Sequence, residues 1–195
     1  MTIGVETDSL VGLSNFKCLQ SNGYTEAVVR AYQTVGRVDP TFGASTVNAR
    51  DAGLAVDALI QVTSQTSATA ASDVAQRIKD EQLTVQTTWL LVEDPARYWG
   101  SGTSGNRTVF TNLVTACEAA GLSVGVYASA DSWTQAFGAD FTDHSALPLL
   151  YGHYDGKRDF KDFTSFGGWT SPARKGYGGG VSHCGVPVVS FTWRP

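Results

Sequence analysis

The stretch Gln86–Trp99, QTTWLLVEDPARYW, decides how the chain folds. Residues Thr87 to Glu93 are β-branched, aromatic or aliphatic up to a terminal carboxyl, and Asp94-Pro95 stops them. That composition and that stop predict a buried strand ending in a turn. Side chains alternate along a strand, so Trp89, Leu91 and Glu93 share one face while Leu90 and Val92 share the other. Glu93 then closes an otherwise apolar strand. In a parallel α/β barrel the C-terminal strand ends carry the reacting groups; the plainer alternative is a solvated strand-end glutamate. Leu91, one pleat below Glu93, stands where a two-carboxylate site would hold its second acid.

Outward from this strand the chain alternates. Thr2–Glu6 predicts a first strand, and Leu13–Ser21 a helix closed by Asn22-Gly23. Strands follow at Glu26–Gln33 and Ala55–Val62, with a helix over Ala44–Ala52 between them. Ser72 is placed to cap a helix running to about Gln82. Beyond the central strand come an amphipathic helix at Thr108–Ala120, a strand at Ser123–Ala128 and a short helix at Asp131–Phe137. Leu147–Tyr154, Ala173–Tyr177 and Val186–Trp193 then read as strands joined by glycine-rich loops. Strands alternating with helices imply βαβ units and a parallel sheet. Five such units and three further strands predict one β/α barrel of reduced helix content, a single domain over residues 1–195.

At 195 residues the chain is long enough for a full core. The net charge of −4 argues against nucleic acid or an anionic membrane surface as partner. No apolar run approaches a membrane span, and no leader is visible because Ile3-Gly4-Val5-Glu6 already reads as strand. This leaves the cytosol, or a mature chain whose leader Met1 replaces. The three cysteines, Cys18, Cys117 and Cys184, allow one bridge and one leftover thiol. No CxxC occurs and His144, His153 and His183 are scattered, so neither metal nor cofactor is expected. Asn106-Arg107-Thr108 is a glycosylation sequon, meaningful only in a secreted chain.

Three runs together resemble a known family: GYTEAVVRAYQTVGRVDP (Gly23–Pro40), LPLLYGHYDG (Leu147–Gly156) and FGGWTSPA (Phe166–Ala173). With Phe16-Lys17-Cys18-Leu19 and Cys184-Gly185-Val186 they are similar to glycoside hydrolase family 25, in particular its nematode and amoebal lysozymes. The resemblance implies a barrel of about eight strands and five helices that cleaves the glycan of peptidoglycan. It implies a secreted, lysosomal or vesicular location. It also implies a Cys18–Cys184 bridge, for which a closed barrel sets first and last strands side by side; Cys117, in the Val114-Thr115-Ala116 helical run, is expected to be a buried free thiol.

Departures from the family fall at cleft positions. The first-strand Asp is Glu6, the cleft aromatics of the third strand are Leu59 and Gln61, and the fourth strand ends Leu91-Val92-Glu93 in place of Asp-x-Glu. Leu150 and Gly176 replace an aromatic and a Gln, and a cleft Asp of the last strand gives way within Val188-Val189-Ser190, with a one-residue shift allowed. Glycoside hydrolysis usually needs an acid and a second carboxylate, or the substrate's own acetamido group. By resemblance Glu93 is the acid, and the candidates for its partner are Glu6 and Asp94. Tyr127, Tyr154, Asp155, Tyr32 and Tyr177 are the candidate sugar-binding residues, and Arg30 a structural ion-pair partner. The expected function is a catalytically impaired barrel that binds peptidoglycan or a related amino-sugar glycan. The alternative is a weak muramidase using Glu93 and Glu6.

Overall fold

The computed structural model describes residues 1–195. In chain order its elements are β1 (Thr2–Thr7), α1 (Leu13–Ser21), β2 (Glu26–Gln33), β3 (Arg37–Val38), α2 (Phe42–Asp51), β4 (Ala55–Gln61), α3 (Thr69–Asp80) and β5 (Thr88–Val92). They continue as α4 (Pro95–Tyr98), α5 (Thr103–Ala119), β6 (Val124–Ala128), α6 (Ala130–Phe137), β7 (Leu149–Gly152), β8 (Arg174–His183) and β9 (Val186–Arg194). The strand order β1-β9-β8-β7-β6-β5-β4-β2 closes through the parallel β1–β2 pair into an eight-stranded barrel. β3 hangs on β2 as a two-residue antiparallel extension. Only β9 runs against its barrel neighbours, paired antiparallel with both β8 and β1. No helix is long and apolar enough to cross a membrane.

Six helices form where five were expected. The extra one, α4, is a single turn with Pro95 at its start, whose fixed φ suits a first helical position. Asp94 before it turns the chain in the left-handed region, at φ 38°. Ser72 does not cap α3; the helix starts at Thr69, and the Ser72 hydroxyl donates back to the Thr69 carbonyl at 2.9 Å.

Two apolar layers result from the strand alternation. Outward residues of the strands pack under the helices, whereas Val28, Leu59, Trp89, Leu91, Tyr127 and Leu150 fill the barrel interior. Gly125 makes the lower interior possible, since a Cβ there would fall 2.5 Å from the Trp89 ring. The Trp89 indole donates to Asp57 at 2.9 Å, and Arg174, itself paired with Glu26 at 3.0 Å, reaches the same Asp57 oxygen at 2.7 Å. This buried, fully paired ionic cluster closes the N-terminal end, which leaves the C-terminal mouth as the place for a ligand.

Cys18 and Cys184 are joined by a disulfide, tying α1 to the β8–β9 turn, and Cys117 is a buried free thiol that burial pushes up to about 12. The sequon asparagine, Asn106, is turned into the protein. Its amide is buried and donates to the Gly100 and Ala136 carbonyls at 2.9 and 2.8 Å.

Candidate active site

β5 delivers its residues in the expected order, with Trp89 deepest, Leu91 above it and Glu93 just past the strand end. Leu91 is 6% exposed and forms part of the cavity floor. The Glu93 carboxylate accepts from the Gln61 amide at 3.2 Å. Partial burial raises its pKa above the ordinary carboxylate value, with Asp94 adding to the effect and Gln61, Arg30 and Arg97 opposing it. Glu93 is therefore suited to hold a proton.

Glu6 also faces the interior, and its surroundings differ. Ser190 donates to it at 2.5 Å across the β1–β9 pair, where the two residues are register partners. Burial is the main cause that lifts Glu6 to about 7; the Glu93 and Asp8 charges add to this, and the Ser190 and Tyr127 hydrogen bonds oppose it. Of the three residues Val188, Val189 and Ser190, it is Ser190 that meets Glu6. Val188, two residues earlier and beyond the last residue of β9 that pairs with β1, packs in the main core, and Val189 is 43% exposed. Nothing short of the β1–β9 register distinguishes them.

Tyr127 and Tyr154 line the cleft together, their hydroxyls 2.8 Å apart. Tyr127 is buried and donates onward to Ser190 at 3.2 Å, completing a hydroxyl path from Tyr154 to Glu6. Tyr154 is 61% exposed, with its ring at the surface and its hydroxyl directed down. The cavity between Leu91, Glu93, Ser129 and these two rings holds about 140 Å³. Pockets that enclose whole ligands hold roughly 300–1,000 Å³, so this one has room for a sugar substituent within an open groove.

Tyr32 and Tyr177 turn away from the cleft, and Asp155 is engaged within its own turn. Tyr32 would share the inward face of Val28 and Arg30 in a regular strand, but the register slips between Arg30 and Tyr32. Arg30 pairs with Leu59 while Tyr32 pairs with the outward Ile60, so Tyr32 is buried in the outer core. Tyr177 follows the inward Gly176 and faces out, stacked 6.1 Å from Phe191. Asp155 is committed to its own turn. It accepts from the Lys157 amide and pairs with the Lys175 ammonium, each at 2.9 Å, which holds its carboxyl below the usual range. Arg30 pairs with Asp39 at 2.7 Å and Asp8 at 3.2 Å, as an ion-pair residue of the mouth.

Donor atoms of His153, Asp155 and Asp162 lie within 4.8 Å of one another, a spacing a metal could use. The Lys175 ammonium, 2.9 Å from both aspartates, already supplies positive charge there, so the group does not fit a cation. Lys175 carried no sequence signal beyond being a lysine in a predicted strand.

The family model described as lysozyme-like protein 1 matches residues 1–177. The chain is similar to the probable GH family 25 lysozyme 2 of Dictyostelium discoideum, at 37% identity over 98% of this chain and 90% of that protein. It is 32% identical to lysozyme-like protein 5 of Caenorhabditis elegans, over 87% of this chain and 80% of that one. In three dimensions it is similar to a family GH25 lysozyme from Aspergillus fumigatus, with a TM-score of 0.76 over 100% of this chain and 94% of the other; at 17% identity that likeness concerns the fold. A closed barrel with its acids at the C-terminal mouth, matched along nearly its whole length by these relatives, places the chain in the glycoside hydrolase family 25 lysozyme-like family.

Proposed function

We propose that this chain binds an amino-sugar glycan, peptidoglycan or a chemically related polymer, in the barrel cleft and hydrolyses it weakly or not at all. The observation that carries this reading is Leu91, a buried aliphatic side chain directly beneath Glu93. Glu93 retains the features of a general acid. The second group, which would orient the acetamido oxygen or activate water, has no carboxylate on β5 to supply it. Glu6, at about 7 and hydrogen-bonded by Ser190, is largely uncharged in acidic media and cannot act there as a base. A missing general acid or base typically removes roughly 10²–10⁴-fold in rate. The exposed Tyr154 ring offers a sugar face a stacking surface. The Cys18–Cys184 disulfide supports an oxidising compartment, secreted or lysosomal and vesicular.

Titration calorimetry with chitooligosaccharides and soluble peptidoglycan fragments tests the binding reading. Binding that persists in Glu93→Gln and weakens about tenfold or more in Tyr154→Ala is expected. Wild-type protein that binds neither glycan overturns it. A second reading, weak muramidase action with Glu93 as acid and Glu6 as second carboxylate, is favoured by one fact: the Glu93 charge contributes to raising Glu6, so the two acids share one field. It requires Glu6 ionised while Glu93 keeps its proton, so any such activity falls off on both the acid and the alkaline side.

A further inference from the structure

The segment between β7 and β8 has no helix, yet its first residues are tied down on three sides. The His153 amide donates to the Gly176 carbonyl at 2.9 Å, and the Gly156 amide to the Tyr177 carbonyl at 2.7 Å. From the outer face of β8 the Lys175 side chain, fully buried, sets its ammonium 2.9 Å from both Asp155 and Asp162. His153 stacks on Tyr151 and approaches Asp162 at 3.1 Å. An ammonium removed from water is costly unless paired and hydrogen-bonded. Both its partners belong to this segment, so Lys175 is buried favourably only while the segment holds its place. Tyr154 lies between His153 and Asp155, inside the clamped turn.

The next residue along β8 acts on the other face. Gly176 points inward, where a Cβ would fall 2.7 Å from the Tyr127 hydroxyl and 3.4 Å from the Tyr154 ring. Any larger side chain would claim the space in which the two tyrosine hydroxyls meet.

We propose that Lys175 and Gly176 are the positioning residues of the cleft, Lys175 clamping the Tyr154 turn from outside the barrel and Gly176 leaving the room in which Tyr154 meets Tyr127. The geometric part stands alone; the consequence for affinity rests on the glycan-binding reading. The test is NMR of protein carrying ring-labelled tyrosine, with Tyr154 assigned from Tyr154→Phe. Lys175→Met and Gly176→Gln should each move the Tyr154 signal in the same sense as Tyr127→Phe, which removes the hydroxyl partner directly. Chitooligosaccharide affinity should fall about tenfold in Lys175→Met and no further when Tyr154→Ala is added. If Lys175→Met does not fold, Asp155→Asn removes one of the two ion pairs and gives the same readout. A folded variant of either position with the Tyr154 signal unmoved overturns the proposal. Wild-type protein that binds no glycan removes the binding reading, and the Tyr154 signal then decides this one by itself.

Discussion

Replacing Glu6 by Gln should stabilise the protein above pH 7 and leave it nearly unchanged below pH 4.5. Glu6 is 4% exposed, and burial lifts its carboxyl from 4.5 to about 7. Below 4.5 the folded and unfolded chains both hold the proton, so the titration of Glu6 takes nothing from stability there. Between 4.5 and 7 the unfolded chain releases the proton while the folded chain keeps it, and stability falls as pH rises. Above 7 both are ionised and the loss levels off. At about 1.36 kcal/mol for each pH unit of that interval, the full loss is roughly 3 kcal/mol. Gln has the same shape, still accepts from Ser190 and does not titrate. Guanidinium unfolding followed by tryptophan fluorescence from pH 4 to 8.5 gives the difference between variant and wild type, in which unrelated titrations cancel. That difference should grow from near zero to roughly 3 kcal/mol. A difference independent of pH would refute the buried, neutral Glu6.

Gly125→Val should lower stability by about 1–3 kcal/mol or more in denaturant unfolding, because Trp89 is held by Asp57 and cannot yield to the added side chain. Cys18→Ser opens a loop of 166 residues and should cost roughly 5 kcal/mol on the chain-entropy account, read as a fall in Tm that reductant reproduces in the wild type. Any residual glycan hydrolysis should pass through a pH maximum, because Glu6 must be ionised while Glu93 keeps its proton, and a rate undiminished in Glu6→Gln would exclude Glu6 as the second group.

The barrel was legible because its signals are local. The apolar run ending at Glu93, the helix-strand alternation and the glycine stops each report on a few neighbouring residues. Leu91 beneath Glu93 follows from the two-residue period alone, and the regular β5 keeps that period. Tyr32 departs from the two-residue period because one extra residue in β2 inverts every face beyond it, and no residue type marks that slip. Tyr177 lies beside a similar irregularity in β8, between Gly176 and Gly178. The role of Ser190 depends on which residue of β1 it meets, a contact spanning 184 positions. Lys175 was invisible for a related reason: a lysine in a strand reads as solvated, and only the aspartates of the β7–β8 connection make its burial possible.

The most direct test of the proposal that the cleft is impaired is reducing-end release from purified peptidoglycan, comparing wild type, Glu93→Gln and the double variant Leu91→Asp with Ser190→Asp. Leu91→Asp returns a carboxylate beneath Glu93, and Ser190 is the inward position of the last strand. The expected result is release by wild type at or near the Glu93→Gln background, and a rate above both in the double variant. Robust wild-type release that Glu93→Gln abolishes would contradict it, because a second catalytic group other than the missing acid would then be at work.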